Sequence, residues 1–373
     1  MTGNSLVFKR KTEKRSGDLL LLFSVIALSL IGLAFVYSAS KYSAKSAYGD
    51  EFFFAKKHLA GLFAGYAAMT FGCFFDYRKY KKIAVFALAA AVILLCLVFT
   101  PLGYENYGAT RWIKVLGITV QPSEIAKICF VIFSASYFSA NPGRSKSFLG
   151  CLPVIAAGGV ICLLVILEPN MSITVCFGLL TLSVLFVSGM KTRHFVIILV
   201  PAVVAVPLLI AAEPYRLNRL SAFLNPWASP KGEGYQLLQS LYALGSGGFF
   251  GVGFLRSRQK LRFLPFSESD FILAVIGEEI GFVGVAMLFA LIVFVIVRGI
   301  KIAVEASDYF GYLLATGIVC VYGIQSIVNA LVVTGSIPPT GLPLPLISAG
   351  NTSLSVFLFS FGVLFNISKN KET

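Results

Sequence analysis

Residues 215–265 read YRLNRLSAFLNPWASPKGEGYQLLQSLYALGSGGFFGVGFLRSRQKLRFLP, and residues 267–284 continue as SESDFILAVIGEEIGFVG, passing without a break into an apolar helix. This stretch is rich in Arg, Lys, Gln, Ser and Gly, in a chain that is otherwise almost entirely lipid-soluble. Of 373 residues, 57% are hydrophobic and only 13% charged, too few polar groups to cover a soluble domain of that size. The apolar runs are about 18 to 25 residues long, enough to cross a hydrocarbon core of ~30 Å as helices. Continuous apolar runs exclude an outer-membrane barrel, whose strands alternate. The first run is full length and lacks a small-residue cleavage pattern, so it reads as a membrane helix that stays. The expected fold is an all-α polytopic membrane protein.

Working outward from the polar stretch, the apolar runs predict ten transmembrane helices: about 19–37, 52–75, 83–100 and 124–140, a fifth to Leu167, a sixth to Met190, a seventh to about Ala212, an eighth to about Val297, a ninth over about 309–333, and a tenth ending at NISKNKET. Short basic loops (DYRKYKK, NPGRSK, KTRH, RGIK, SKNK) and an N-terminus with Lys9, Arg10, Lys11, Lys14 and Arg15 mark one side as cytoplasmic, with both termini on it. The domain plan is a cytoplasmic N-terminus (1–17), one transmembrane domain (18–368) and a short cytoplasmic tail (369–373). The long loop between helices seven and eight, about 213–269, then faces outward. It carries Arg216, Arg219, Lys231, Arg256, Arg258, Lys260 and Arg262 against Glu213, Glu233, Glu268 and Asp270. That excess of cations suits an anionic group at the outer leaflet, or simple headgroup contact. The seven cysteines lie in or beside apolar runs and form neither a disulfide framework nor a metal-spacing motif. His58 and His194 stand alone, which argues against a histidine metal site or a histidine-activated nucleophile.

Asp270 sits where polar loop becomes apolar helix. Beside Ser267 and Ser269 it suits a helix cap; beneath a basic, Gly-rich loop it equally suits a general base for a sugar or alcohol hydroxyl. Glu278 and Glu279 fall about 12 Å further along a helix, too far to form a glycosidase-type carboxylate pair with it. Acids in a membrane helix are expensive, so at least one should line a polar cavity or meet a cation. Glu124 and Lys127 are spaced i, i+3 and share a helix face, with Arg111 just upstream. Gln325 and Asn329 read as interhelical packing. The segment IPPTGLPLPLIS (337–348) has four prolines and cannot be regular helix. At membrane depth such backbone needs shelter, which predicts a rigid re-entrant turn beside a pocket.

Several separated motifs, taken together, resemble the SEDS family (shape, elongation, division and sporulation proteins of the FtsW, RodA and SpoVE type). They are Arg111-Trp112, QPSE (121–124) and Lys127; then NPW (225–227), GYQ (234–236), GSGG (245–248), Gln259-Lys260, Asp270-Phe271 and Glu278-Glu279; then PPTGLPLPLIS (338–348). The wording is closer to the FtsW and SpoVE branch. The resemblance implies a peptidoglycan glycosyltransferase that polymerises lipid II at the outer face of the bacterial cytoplasmic membrane, in division or sporulation. It implies Asp270 as the catalytic aspartate, Glu124 and Lys127 as cavity supports, and Arg219 and Lys260 as contacts for substrate phosphates. Arg111, Gln236, Glu278, Glu279 and Ser348 join the expected substrate or cavity positions. It further implies a divalent cation, Mg or Mn, although the sequence shows no ligand cluster. The implied partners are lipid II with its polyprenyl-pyrophosphate glycan and a class B penicillin-binding protein, a transpeptidase; no nucleic acid is expected. The chain departs from many relatives at Asn170 (an Asp there), at 348–353 (SAGNTS where relatives often read SYGGSS), and at Glu268 (often His). Two rival readings are a flippase, using Glu278, Glu279 and Lys127 as a polar path, and a non-catalytic scaffold for a transpeptidase.

Overall fold

The computed structural model describes residues 12–14, 16–106, 109–115 and 117–372. Lys9, Arg10, Lys11 and Arg15 of the basic N-terminus lie outside the described residues. The apolar runs become α1 (Leu19–Tyr48), α2 (Phe53–Phe74), α3 (Tyr80–Leu97), α4 (Pro122–Ala140), α5 (Phe148–Leu167), α6 (Met171–Val187) and α7 (Thr192–Ala211). After the polar stretch come α10 (Ile272–Val304), α11 (Tyr309–Val333) and α12 (Asn351–Ser368). Among the described residues, eight helices are long and apolar enough to cross a membrane: α1, α3, α4, α5, α7, α10, α11 and α12. α6 has 17 residues, and α2 opens on Lys56, Lys57 and His58. α2 packs along α12 through glycines: a Cβ at Gly65 would meet Leu358 at 2.5 Å, and one at Gly72 the Phe359 carbonyl at 2.8 Å. Small residues let membrane helices approach this closely.

Five departures from the sequence reading shape the site. α1 runs on to Tyr48 rather than ending near Tyr37, because KYSAKSAY continues a helix until Gly49 ends it at φ 73°. The polar stretch after α7 is not all loop: it contains α8 (Pro214–Leu224) and α9 (Tyr235–Gly247). The loop before α4 is a three-stranded antiparallel sheet, β2 (Gly103–Asn106), β3 (Ala109–Val115) and β4 (Ile118–Val120), so the fold is mostly rather than wholly helical. Near the chain ends β1 (Thr12–Lys14) pairs with β5 (Asn370–Glu372), and Asp18 N–H donates to Ser368 Oγ at 2.9 Å, so the first and last described segments meet at one end of the bundle.

The fifth departure is the largest. The expected eighth helix is broken at Gly281, where φ is 67° and ψ −172°. Residues 271–279 are buried on every face, which marks a core helix rather than a lipid-facing one. The second part, 282–304, carries exposed Phe282, Met287 and Val297. The break leaves backbone groups unpaired, and the Gly-rich turn after α9 supplies their partners. Val252 N–H donates to Glu278 O at 2.9 Å and Gly253 N–H to Glu279 O at 3.0 Å; Phe282 N–H donates to Gly248 O at 2.9 Å and Val283 N–H to Phe249 O at 3.1 Å. A Cβ at Gly251 would lie 2.2 Å from Glu279 O, so only glycine allows this contact.

Candidate active site

Asp270 stands at the head of this core helix. The helix cap is Phe271, with no side-chain capping bond, so the Asp270 carboxyl is not occupied as a cap. The proline-rich segment 337–350 is non-helical, buries Leu342, Leu344, Leu346 and Ile347, and docks along residues 268–270. Ser348 Oγ donates to Ser269 O at 2.6 Å and accepts from Leu344 N–H at 2.8 Å. Ala349 N–H donates to Glu268 O at 2.9 Å. Asn329 Nδ2 on α11 donates to both Asp270 O and Leu342 O at 2.8 Å, joining the two strands of this junction. A Cβ at Gly341 would lie 3.3 Å from Asp270 Oδ2, so the proline-rich backbone passes close by the carboxylate.

Cations approach Asp270 from other elements. Arg111 on β3 donates through Nε to Glu168 O at 3.4 Å and through Nη2 to Pro169 O at 2.5 Å, which fixes it on the α5–α6 turn. Arg219 on α8 donates to Pro339 O at 3.3 Å and lies over the Tyr215 ring at 4.9 Å. Burial pushes the Asp270 carboxyl up to about 7; Arg111 opposes this, Glu268 adds to it, and Arg219 opposes it again. Burial also raises Glu268. A carboxyl poised near neutrality, half-buried, with two guanidinium groups close by, can take a proton from a hydroxyl while an anion is held beside it.

Glu278, Glu279 and Glu124 belong to separate clusters and are each engaged by neighbours, although Oε2 of Glu279 and of Glu124 is buried without a hydrogen-bond partner. Glu279 accepts from Lys260 Nζ at 2.7 Å and from Ser38 Oγ on α1 at 2.6 Å, and Lys260 Nζ also reaches Ser38 Oγ at 3.1 Å. Glu278 accepts from Ser257 Oγ and from the N–H groups of Arg258 (2.9 Å) and Gln259 (3.3 Å). These two acids therefore hold segment 257–260 against the core helix. Lys260, expected among phosphate contacts, is buried with its ammonium engaged by Glu279. Lys127 pairs with Glu124 at 2.8 Å and also donates to Gln325 Oε1, whose Nε2 holds Pro343 O at 3.0 Å. Gln325 and Asn329, read from the sequence as packing, thus hold the proline-rich segment. Gln236 lies half-buried on the first turn of α9. Sequence reasoning passed over Glu168; its one signal was an acid in a very short turn between two apolar runs.

Among the described residues no group of three or more His, Cys, Asp or Glu could hold a metal ion. Asp270, already under the charges of Arg111 and Arg219, does not make a ready metal site with Glu268.

A helical membrane protein with an unpaired carboxyl beside two arginines, at the head of a buried core helix, has the layout of a membrane enzyme. The model of the cell cycle protein family of FtsW, RodA and SpoVE matches residues 18–373, and the chain belongs to that family, as a multi-pass protein of the bacterial cytoplasmic membrane. It is 37% identical over 353 residues to the "Probable peptidoglycan glycosyltransferase FtsW" of Geobacter sulfurreducens, covering 94% of this chain and 95% of that one. It is 38% identical over 361 residues to the stage V sporulation protein E of Bacillus subtilis, covering 96% and 98%. A solved structure described as a peptidoglycan synthase complex that coordinates polymerisation and crosslinking superimposes with a TM-score of 0.77 at 26% identity, covering 95% of this chain and 98% of that one. The rod shape determining protein RodA of Thermus thermophilus shares the fold with a TM-score of 0.70 at 24% identity, covering 95% and 97%.

Proposed function

We propose that this chain is a peptidoglycan glycosyltransferase that polymerises lipid II at the outer face of the cytoplasmic membrane, in division or sporulation. The observation that carries this reading is the Asp270 carboxyl, unoccupied as a cap and held near neutrality beside Arg111 and Arg219. Asp270 takes the proton from the acceptor sugar hydroxyl. The freed oxygen attacks the anomeric carbon of the lipid-linked donor with inversion, and the bond to the pyrophosphate breaks. The departing pyrophosphate is a weakly basic anion and already a fair leaving group, so the charges of Arg111 and Arg219 suffice in place of a general acid. α2 and α6 complete ten spans, with both termini in the cytoplasm and the α8–α9 region outside. A class B penicillin-binding protein is the partner, in keeping with the complex to which the fold is similar. A divalent cation would have to enter with the pyrophosphate oxygens.

A transport path is less well supported, because Glu278, Glu279 and Lys127 are each engaged by neighbours inside the protein. The test is lipid II polymerisation by the purified protein, with and without its transpeptidase, alongside lipid scrambling in vesicles. Wild type should yield polymer, and Asp270→Asn should lose at least about 10³-fold, within the usual range for a general base combined with substrate alignment. Polymer from Asp270→Asn at the wild-type rate sinks the assignment of the base. Scrambling without polymer sinks the enzyme.

A further inference from the structure

Glu168 ends the C-terminal turn of α5 and is 1% exposed. Both of its carboxyl oxygens are buried without a hydrogen-bond partner. A buried carboxylate in that state is costly, so the group must either stay protonated or find a cation. The cation at hand is Arg111, whose guanidinium already rests on the carbonyls of Glu168 and Pro169. Asn170, the other polar side chain of this turn, is engaged otherwise: its Oδ1 accepts from Ile173 N–H at 3.3 Å as the cap of α6. Glu168 is thus the acid of this turn, and it lies against a residue that also bears on Asp270.

We infer that Glu168 is a positioning residue for Arg111: protonated, it leaves the guanidinium free to face the anionic donor, and ionised, it draws the guanidinium into a buried ion pair. The proposal rests on the glycosyltransferase reading above. The charged groups around Arg111 are Glu168 on one element, Asp270 on a second, and Arg219 with Tyr215 on a third. Burial pushes Glu168 up to about 8, with Arg111 opposing. Below that value the carboxyl is neutral and Arg111 serves the donor; above it the carboxylate competes with the donor pyrophosphate for the same charge. Donor affinity should therefore fall on the alkaline side. Catalysis by Asp270 is lost on the acid side.

The experiment measures kcat and KM for lipid II from about pH 6 to pH 9.5, a range spanning both groups' raised values. Wild type should show KM rising by up to about tenfold per unit above the Glu168 value, with kcat nearly flat there. In Glu168→Gln, the ratio of kcat/KM at about pH 9 to that at about pH 7.5 should rise at least 5-fold over wild type, since the amide cannot ionise. An alkaline limb unchanged in Glu168→Gln overturns the inference and leaves the glycosyltransferase standing; absence of polymer from wild type at every pH overturns the glycosyltransferase itself. Should Glu168→Gln fail to fold, lipid II binding to Asp270→Asn decides the matter. Weakening by about tenfold across the same alkaline range supports the inference, and pH-independent binding overturns it.

Discussion

The core helix at the start of α10 has acids at both ends, in opposite circumstances. At its C-terminal end Glu278 and Glu279 are buried and held by Lys260, Ser38, Ser257 and backbone N–H groups. At its head Asp270 is half-buried, is not occupied as a cap, and is pushed up to about 7 by burial. The same physics gives two outcomes. An acid taken out of water must find partners or give up its charge. The end with partners fixes the helix against α1 and segment 257–260. The end without them keeps a proton acceptor whose state changes near neutrality, which is what a general base requires.

The largest expected effect lies at the satisfied end. Lys260→Met should cost about 3–5 kcal/mol of stability, because Glu279 would be left buried without its cation. The double variant Lys260→Met/Glu279→Leu should recover most of the loss. Thermal unfolding in detergent measures both, and Asp270→Asn should melt at or above the wild-type temperature. The comparison breaks if Lys260→Met melts like wild type yet makes no polymer, for then Lys260 acts on substrate and not as an anchor. A smaller effect is expected from Asn329→Leu. It leaves Asp270 O and Leu342 O bare and loosens the seam between the helix head and the proline-rich segment. The rate should fall about 10²-fold with little change in lipid II binding, since small displacements of a catalytic group are costly. An unchanged rate would show that Ser348 and Ala349 hold the seam without it.

How much of this was legible in the chain follows from which forces are local. The spans could be read because lipid demands long apolar runs. The proline-rich segment could be read because four prolines forbid a helix. Asp270 stood out at a boundary between polar and apolar sequence. The break at Gly281 could not be read, because glycine inside an apolar run is tolerated in many membrane helices and its φ is set by a turn some 30 residues earlier. The Lys260–Glu279 pair was hidden for a similar reason: a lysine in a basic loop gives no sign that it folds inward onto an acid 19 residues on. Gln325 and Asn329 share one face of α11, as their spacing required, but that they hold backbone carbonyls of a different segment is a tertiary fact.

The smallest effect is the most specific to the head of the helix. Polymerisation, as kcat/KM, should fall about tenfold per pH unit below the Asp270 value, because the base must be unprotonated to act. The neighbours of Asp270 then set where this limb lies. Glu268 disfavours a second negative charge beside it, and Arg111 and Arg219 favour one. Glu268→Gln should therefore move the limb to lower pH, and Arg219→Gln should move it to higher pH, each by a fraction of a unit. Arg219→Gln should also raise the KM for lipid II, because it removes a charge facing the pyrophosphate; Glu268→Gln should not. Variants at the other end of the helix give the control. Ser257→Ala weakens the hold on Glu278 and should lower stability while leaving the limb in place. A limb that moves with Ser257 and not with Glu268 would mean that the titrating group lies at the satisfied end of the helix, and the division of roles between its two ends would be reversed.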